Sequence, residues 1–397
     1  MKSIRDDILY LFQEGIKAAS PKELFQEFSK ENMDVVEKLS DHSKNQFVFS
    51  LGKAAYSMAE SFSDLFSVNK GYVLTKYSHL PLELSEKGKD KDKIWTYREA
   101  SHPLPDENSI RYALEVLDQL KQLGKKDRLV VLLSGGGSSL FEVPIDGLSL
   151  QELINIQNQL LKSGKSIQEI NSDRKKYSKV KGGKLLKELN QDLELYTLVI
   201  SDVIGDDPNS IASGLTYPSQ NYFIIGNLTR SIHRILEEGK KLGYQTKLIS
   251  DTWSGSSEET SYLFEEEFNL ALDSPKSQMI VLGGEMVCPV LGDGIGGRNQ
   301  ETALRVSLLL NEHPTEREWT FLSGGTDGTD GPTDVAGGIV GNDSIHKMEK
   351  KGWNPKKELH NSNSYPILKD IDALVSTGPT GTNVNDILIL LVGSAKS

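Results

Sequence analysis

Five glycine-rich segments gather most of the residues in this chain that could do chemistry: Leu51-Gly-Lys-Ala, Ser134-Gly-Gly-Gly-Ser-Ser, Ser201-Asp-Val-Ile-Gly-Asp-Asp, Gly292-Asp-Gly-Ile-Gly-Gly-Arg-Asn and Gly324-Gly-Thr-Asp-Gly-Thr-Asp-Gly. Glycine permits positive φ and brings backbone N–H groups up to an anion. Gly135, Gly136 and Gly137, followed by Ser138, offer amides, a hydroxyl and a helix dipole to a phosphate. Three consecutive glycines exceed what a strand–helix turn needs. Lys53 reads either as a mobile cation for a phosphate or as a solvated helix-terminal lysine. Its loop is not a Walker A sequence, and no such sequence occurs in the chain. Asp202, at the carboxyl end of an apolar run, suits activation of a hydroxyl or orientation of a metal-bound group. Asp206 and Asp207 beside Pro208 suit turn and cap roles instead.

The Gly292–Gly297 string matches a dinucleotide fingerprint in its letters, but its context is wrong. The segment Met286–Leu291 follows Leu282-Gly-Gly-Glu and reads as the second arm of a hairpin, not as the first strand of a βαβ unit. Arg298 and Asn299 directly after the glycines suit a phosphate or carboxylate better. Asp327, Asp330 and Asp334 have a superficial calcium-loop spacing, yet position 338 is Gly where a bidentate glutamate would stand. A magnesium–nucleotide site or plain turn chemistry fits them better. The basic run Asn171-Ser-Asp-Arg-Lys-Lys-Tyr-Ser-Lys-Val-Lys-Gly-Gly-Lys is of a kind that is usually a solvated helix face, though Arg174 suits bidentate oxyanion contacts. His102 reads equally as turn packing and as a substrate contact. The seven histidines lack metal-ligand spacing, and no Gly-x-Ser-x-Gly elbow is present. The single Cys288 excludes an internal disulfide and reads as a buried structural thiol.

These residues need strands to aim them, and the pattern supplies strands. Apolar runs at Gln46–Leu51, Gly71–Thr75, Lys93–Arg98, Arg128–Leu133 and Leu195–Ile200 alternate with amphipathic stretches such as Asn108–Leu123 and Leu150–Leu161. Further strands are expected at 222–226, Thr246–Ser250, Met279–Leu282, Thr320–Leu322 and Ile387–Leu391, with a helix over Thr229–Leu242. This alternation is that of an α/β protein with mostly parallel sheets covered on both faces. The 397 residues exceed one typical core. The polar stretch around Tyr217-Pro-Ser gives domains at 1–220 and 221–397, with the last strand free to return to either. A net charge of −11 argues against a broad nucleic-acid surface. No signal-peptide core or membrane-length apolar run occurs, so a cytoplasmic location is expected.

Taken in order, the motifs resemble the class II glycerate kinases, the glycerate 2-kinases whose C-terminal region is called the MOFRL domain. Besides the segments above, the resemblance is carried by His102-Pro-Leu-Pro-Asp, Ile211-Ala-Ser-Gly, Gly283-Gly-Glu, Gly296-Gly-Arg-Asn-Gln-Glu and Thr377-Gly-Pro-Thr-Gly-Thr-Asn-Val-Asn-Asp, from about residue 50 to residue 392. It implies a Rossmann-like N-terminal domain and a smaller MOFRL-type domain flanking a cleft. The implied reaction is ATP- and magnesium-dependent phosphorylation of D-glycerate at its 2-hydroxyl. By matching motif, Lys53 and Asp202 are the catalytic pair. Arg174, Ser138, Arg298 and Asn299 are expected on the substrate. Gly135, Gly136, Gly137, Glu285, Thr326, Asp327 and Asn383 are expected on the nucleotide, and no metal ligand is assigned. The pattern departs at Asp173, Lys176, Tyr177 and Leu215, which puts the acceptor's identity in question more than the phosphoryl transfer. The rival readings are a hydroxypyruvate reductase using NAD(P)H, a label often given to relatives of this family, and a non-catalytic small-anion-binding protein. A homo-oligomer is left open.

Overall fold

The computed structural model describes residues 3–85, 94–162 and 167–395. The chain forms two compact units. One comprises Pro21–Asn227 with Gly381–Asn383; the other comprises the segment through Ser20, Leu228–Thr380 and the segment from Val384.

In the first unit, β1 (Asn45–Leu51), β2 (Lys70–Lys76), β3 (Trp95–Ala100), β4 (Asp127–Leu133), β5 (Glu194–Ile200) and β6 (Asn221–Gly226) form one sheet in the order β3-β2-β1-β4-β5-β6. Every pairing in it is parallel. The apolar runs are continuous because helices cover both faces, so alternate residues need not be polar. Phe47, Phe49, Leu129, Val131 and Leu133 are all buried in one cluster with Val116, Leu117 and Leu120 of the helix Glu107–Leu120. The chain leaves β1 toward β2 on one side and enters β4 on the other. The carboxyl ends of β1 and β4 therefore flank the switch point at which open parallel sheets bind ligands. The third strand expected from the sequence began at Lys93, which lies outside the described residues.

The second unit holds β7 (Gln245–Trp253), β8 (Gln278–Gly284), β9 (Trp319–Gly325), β10 (Gly337–Gly341), β11 (Leu374–Val375) and β12 (Asp386–Val392), in the order β11-β10-β9-β12-β8-β7. The expectation of mostly parallel sheets fits the first unit. Here only β7 and β8 run parallel, because β12 inserts antiparallel between β8 and β9. All seven residues of β12 are buried, so the last strand is the middle of this sheet. The helix Ile4–Ala18 also belongs here, although the sequence reading assigned 1–220 to one domain. Gly15 gives way to Ile235 and Ile387, and Phe12 lies against Gly324. The expected strand at Met286–Leu291 is absent apart from a single bridge from Val287 to Ser256. Both flanks of β8 are already taken by β7 and β12, and Pro289 has no N–H for a ladder. Val287, Val290 and Leu291 are consequently 62%, 78% and 59% exposed.

Candidate active site

Three of the expected residues meet at the carboxyl edge of the parallel sheet. Lys53 follows β1, Gly135 follows β4 and Asp202 follows β5. The first two loops are tied together: the Lys53 N–H donates to the Gly135 carbonyl at 2.8 Å, and the Ala54 N–H donates to Ser134 Oγ at 3.0 Å. Gly52, at φ 121°, has no room for a side chain, since a Cβ would stand 2.3 Å from Ser134 Oγ. Gly135 is needed for a different reason. A Cβ there would lie 1.9 Å from Asp202 Oδ2, so the missing side chain is what lets the carboxylate reach the loop. Asn383 donates through Nδ2 to that same oxygen at 3.3 Å. Its expected contact was the nucleotide; its observed partner is Asp202.

Lys53 and His102 close around Gly136, whose Cβ position would be 2.9 Å from His102 Cδ2 and 3.4 Å from Lys53 Cγ. Burial, then the charges of Lys53, Lys76 and His79, pull the His102 imidazole down to about 4, so it is neutral near pH 7. His79 donates from Nδ1 to the Lys53 carbonyl at 3.0 Å, fixing the lysine backbone. On the far side of the loop, Ser138 Oγ is 2.7 Å from Ser213 Oγ. Arg174 lies in the last turn of the helix Ile167–Lys176, and its Nε is buried without a hydrogen-bond partner.

The second unit uses its glycine loops differently. Asp386, fully buried at the start of β12, lies opposite Gly284 and Gly325. It accepts from Arg298 Nε at 2.6 Å and from Arg298 Nη2 at 3.1 Å. Burial works against the Arg298 charge, but Asp386 outweighs it and raises the guanidinium further above its usual value. Arg298 Nη1 lies 3.9 Å from half-exposed Glu285. Asn299 is buried; its amide donates to Asp386 at 3.0 Å and its carbonyl accepts from Ser323 at 2.7 Å. Its polar atoms are thus engaged inside the unit. Thr326 is buried too, donating to the Asn385 carbonyl at 2.7 Å and accepting from Val384 N–H at 2.8 Å. Asp327 accepts from the Thr329 N–H and hydroxyl, both at 3.0 Å, in a local turn.

Asp330 occupies the position that a bound anion would otherwise take. The helix Arg298–Leu310 has no side-chain cap of its own. Asp330 supplies one, accepting from Asn299 N–H at 3.1 Å and Gln300 N–H at 2.9 Å. The dinucleotide-like glycines therefore lead to a helix N-terminus already neutralised by the chain's own carboxylate. Burial pushes Asp330 up to about 6, against the pull of those backbone hydrogen bonds. Cys288 is half-buried, and burial pushes its thiol up to about 11. No group of three or more His, Cys, Asp or Glu side chains arranged to hold a metal occurs among the described residues. A single carboxylate, as at Asp202, is what a magnesium ion needs when it takes most of its ligands from phosphate and water.

Sequence reasoning passed over Asp386 and Asp330 as structural acceptors, and gave His102 no preferred role. The signal for Asp386 was an acid opening an otherwise wholly apolar strand, Asp386-Ile-Leu-Ile-Leu-Leu-Val. Such a charge needs a buried partner.

A family model described as a domain of unknown function (DUF4147) matches residues 7–231, and the MOFRL family model matches residues 278–386. The chain is 35% identical to a D-glycerate 2-kinase of Thermotoga maritima, over 98% of this chain and 99% of that one. It is 34% identical to a glycerate 2-kinase of Pyrococcus horikoshii, over 99% and 98%. A crystal structure of glycerate kinase from Thermotoga maritima superimposes with a TM-score of 0.85 at 33% identity, covering 98% of this chain and 99% of that one.

Proposed function

The chain belongs to the MOFRL family of glycerate 2-kinases, and from that premise we propose that it transfers the γ-phosphoryl group of ATP to the 2-hydroxyl of D-glycerate. The observation that carries the reading is the convergence of Lys53, Asp202 and the Gly135–Ser138 loop at the switch point of the parallel sheet. Phosphoryl transfer asks a protein for alignment and charge stabilisation rather than covalent chemistry. Asp202, oriented by Asn383, takes the proton from the glycerate O2. The O2–Pγ bond forms as the bond from Pγ to the bridging oxygen breaks, and ADP leaves with the electron pair. Lys53 offsets the charge that develops on the transferring group. Neutral His102 crowds the same glycine without adding a second positive charge that would compete with Lys53 for it.

Magnesium, when bound with the nucleotide, neutralises the β- and γ-phosphates. Asp202 is the carboxylate that would be best placed to orient its water. Arg174 and Ser138 are assigned to the acceptor; Gly135, Gly136 and Gly137 to the phosphates; Glu285, Thr326 and Asp327 to the nucleotide side. Arg298 keeps a role through its Nη1 edge, and Asn299 acts by holding Asp386, which grips Arg298. The reductase reading loses its physical basis, because Asp330 caps the helix that would receive a pyrophosphate. No helix among the described residues is long and apolar enough to cross a membrane, in keeping with a proposed cytoplasmic enzyme acting on small molecules.

The test is a product analysis. Purified protein with ATP, magnesium and D-glycerate is expected to give ADP and 2-phosphoglycerate in equal amounts. NADH titration is expected to give no binding. Formation of 3-phosphoglycerate, or NADH-dependent reduction of hydroxypyruvate, would contradict the proposal.

A further inference from the structure

The ion pair Glu142–Lys181 is fully buried in the parallel-sheet unit, and the chemistry above does not use it. Glu142 stands four residues beyond Ser138, on the chain leaving the glycine loop. Lys181 lies at the end of the basic run. Two backbone hydrogen bonds stitch these segments together, from Ile145 N–H to the Tyr177 carbonyl at 3.1 Å and from Lys179 N–H to the Val143 carbonyl at 2.7 Å. The same end of the run meets the 211–214 turn, where Gly182 N–H donates to the Ser213 carbonyl at 2.9 Å. Ala212 and Ser213 hold that turn at φ 45° and 57°, a strained left-handed conformation for residues with side chains. Ser213 in turn contacts Ser138 of the glycine loop. The basic run is thus built into the wall of the candidate site and is not a solvated helix face.

Among the described residues of this wall, Arg174 carries a buried Nε without a hydrogen-bond partner. Lys184 Nζ donates to the carbonyls of Lys175 and Ser178 at 2.6 and 2.7 Å, fixing the end of the helix that carries Arg174. Burial lowers both the Arg174 and the Lys181 charge affinities, and Glu142 supports both. Two cations and one anion leave one positive charge in excess. Arg174 Nε is a buried donor with no acceptor, an arrangement that is costly unless an anion completes it. The planar guanidinium fork matches a carboxylate.

We propose that Arg174, held in place by the buried Glu142–Lys181 pair, is the arm that binds the carboxylate of the acceptor beside the Gly135–Ser138 loop. This rests on the reading of the chain as a glycerate kinase. Arg174 touches the substrate, while Glu142 and Lys181 act through it as positioning residues.

Steady-state kinetics with D-glycerate and ATP varied separately test this. Arg174→Gln is expected to raise the KM for glycerate roughly tenfold to a hundredfold, the loss of a charge-assisted contact, with the KM for ATP near the wild-type value. Arg174→Lys is expected to fall between the two, because it keeps the charge and loses the fork. Removing one partner of the buried pair would leave a stranded charge and risk the fold. The paired change Glu142→Gln with Lys181→Met avoids this, and it is expected to melt like wild type while raising the glycerate KM in the same direction. Glycerol lacks the carboxylate, so the preference for glycerate over glycerol is expected to collapse in Arg174→Gln. An unmoved glycerate KM in Arg174→Gln, or a rise in the ATP KM instead, would overturn the inference and assign the anion to the nucleotide or to nothing. Absence of phosphoglycerate from the wild-type enzyme would fail the kinase reading itself, a result these variants cannot mimic.

Discussion

At the carboxyl ends of β1, β4 and β5, the glycine loops bring Lys53 and neutral His102 around Gly136, with Asp202 against Gly135. At the ends of β8, β9 and β12, loops equally rich in glycine surround charges that answer one another: Arg298 on Asp386, and Asp330 on the N-terminus of the helix Arg298–Leu310. In the sequence the two sets of loops looked alike. Hydrogen bonding separates them. In the first set glycine makes room for Lys53, His102 and Asp202; in the second it makes room for carboxylates answered by a guanidinium or by a helix N-terminus.

The sharpest way to break this contrast is to remove a charge from each set. Lys53→Ala is expected to cut turnover by about 10³–10⁵ while the melting temperature stays near that of wild type. A large loss of stability in that variant would make Lys53 a framework residue. Asp202→Asn is expected to lose about 10²–10⁴ in kcat, again with the fold preserved; here the check is turnover beside circular dichroism. Asp386→Asn should behave in the opposite manner. Arg298 would lose its ion pair with Asp386, and because its side chain is about a third exposed the cost should be about 2–3 kcal/mol, read in urea unfolding. Unchanged stability there would mean that the Arg298–Asp386 pair does not hold the second set together.

A subtler contrast lies in acid. His102 titrates at about 4 in the fold, below its unfolded value of about 6.5. The unfolded chain then holds the extra proton, and stability falls as the pH drops from about 6.5 to 4. Asp330 titrates at about 6, above an unfolded value of about 3.9. The folded chain then holds the extra proton, and stability falls as the pH rises from about 4 to 6. Each contribution should be about 1–3 kcal/mol. Melting curves of His102→Gln and Asp330→Asn, each subtracted from wild type across that window, should slope in opposite directions. Slopes of one sign would remove the distinction.

Much of the parallel sheet was legible because strands buried on both faces write continuous apolar runs, and the candidate residues Lys53, Gly135 and Asp202 stood two positions beyond their ends at Leu51, Leu133 and Ile200. The mixed sheet was harder. Met286–Leu291 has the letters of a strand, but strand pairing is decided by which neighbours are already taken. β10 reads Gly337-Gly-Ile-Val-Gly, too glycine-rich to announce a strand. Asn299 is held by Asp386, 87 residues away, and the charge of Arg174 is supported by Glu142 from a separate segment. Pairings so distant leave no local pattern. The glycines themselves were visible, but what each one clears space for was not.

The account turns on Lys53 acting in phosphoryl transfer to the glycerate 2-hydroxyl. Its most direct test is phosphorus NMR of the product formed from ATP and D-glycerate by the wild-type enzyme and by Lys53→Ala at equal concentration. The expected result is 2-phosphoglycerate from the wild type, with a rate lower by at least about a thousandfold in a variant that melts normally. Comparable 2-phosphoglycerate from both proteins, or phosphate on another oxygen, would contradict it.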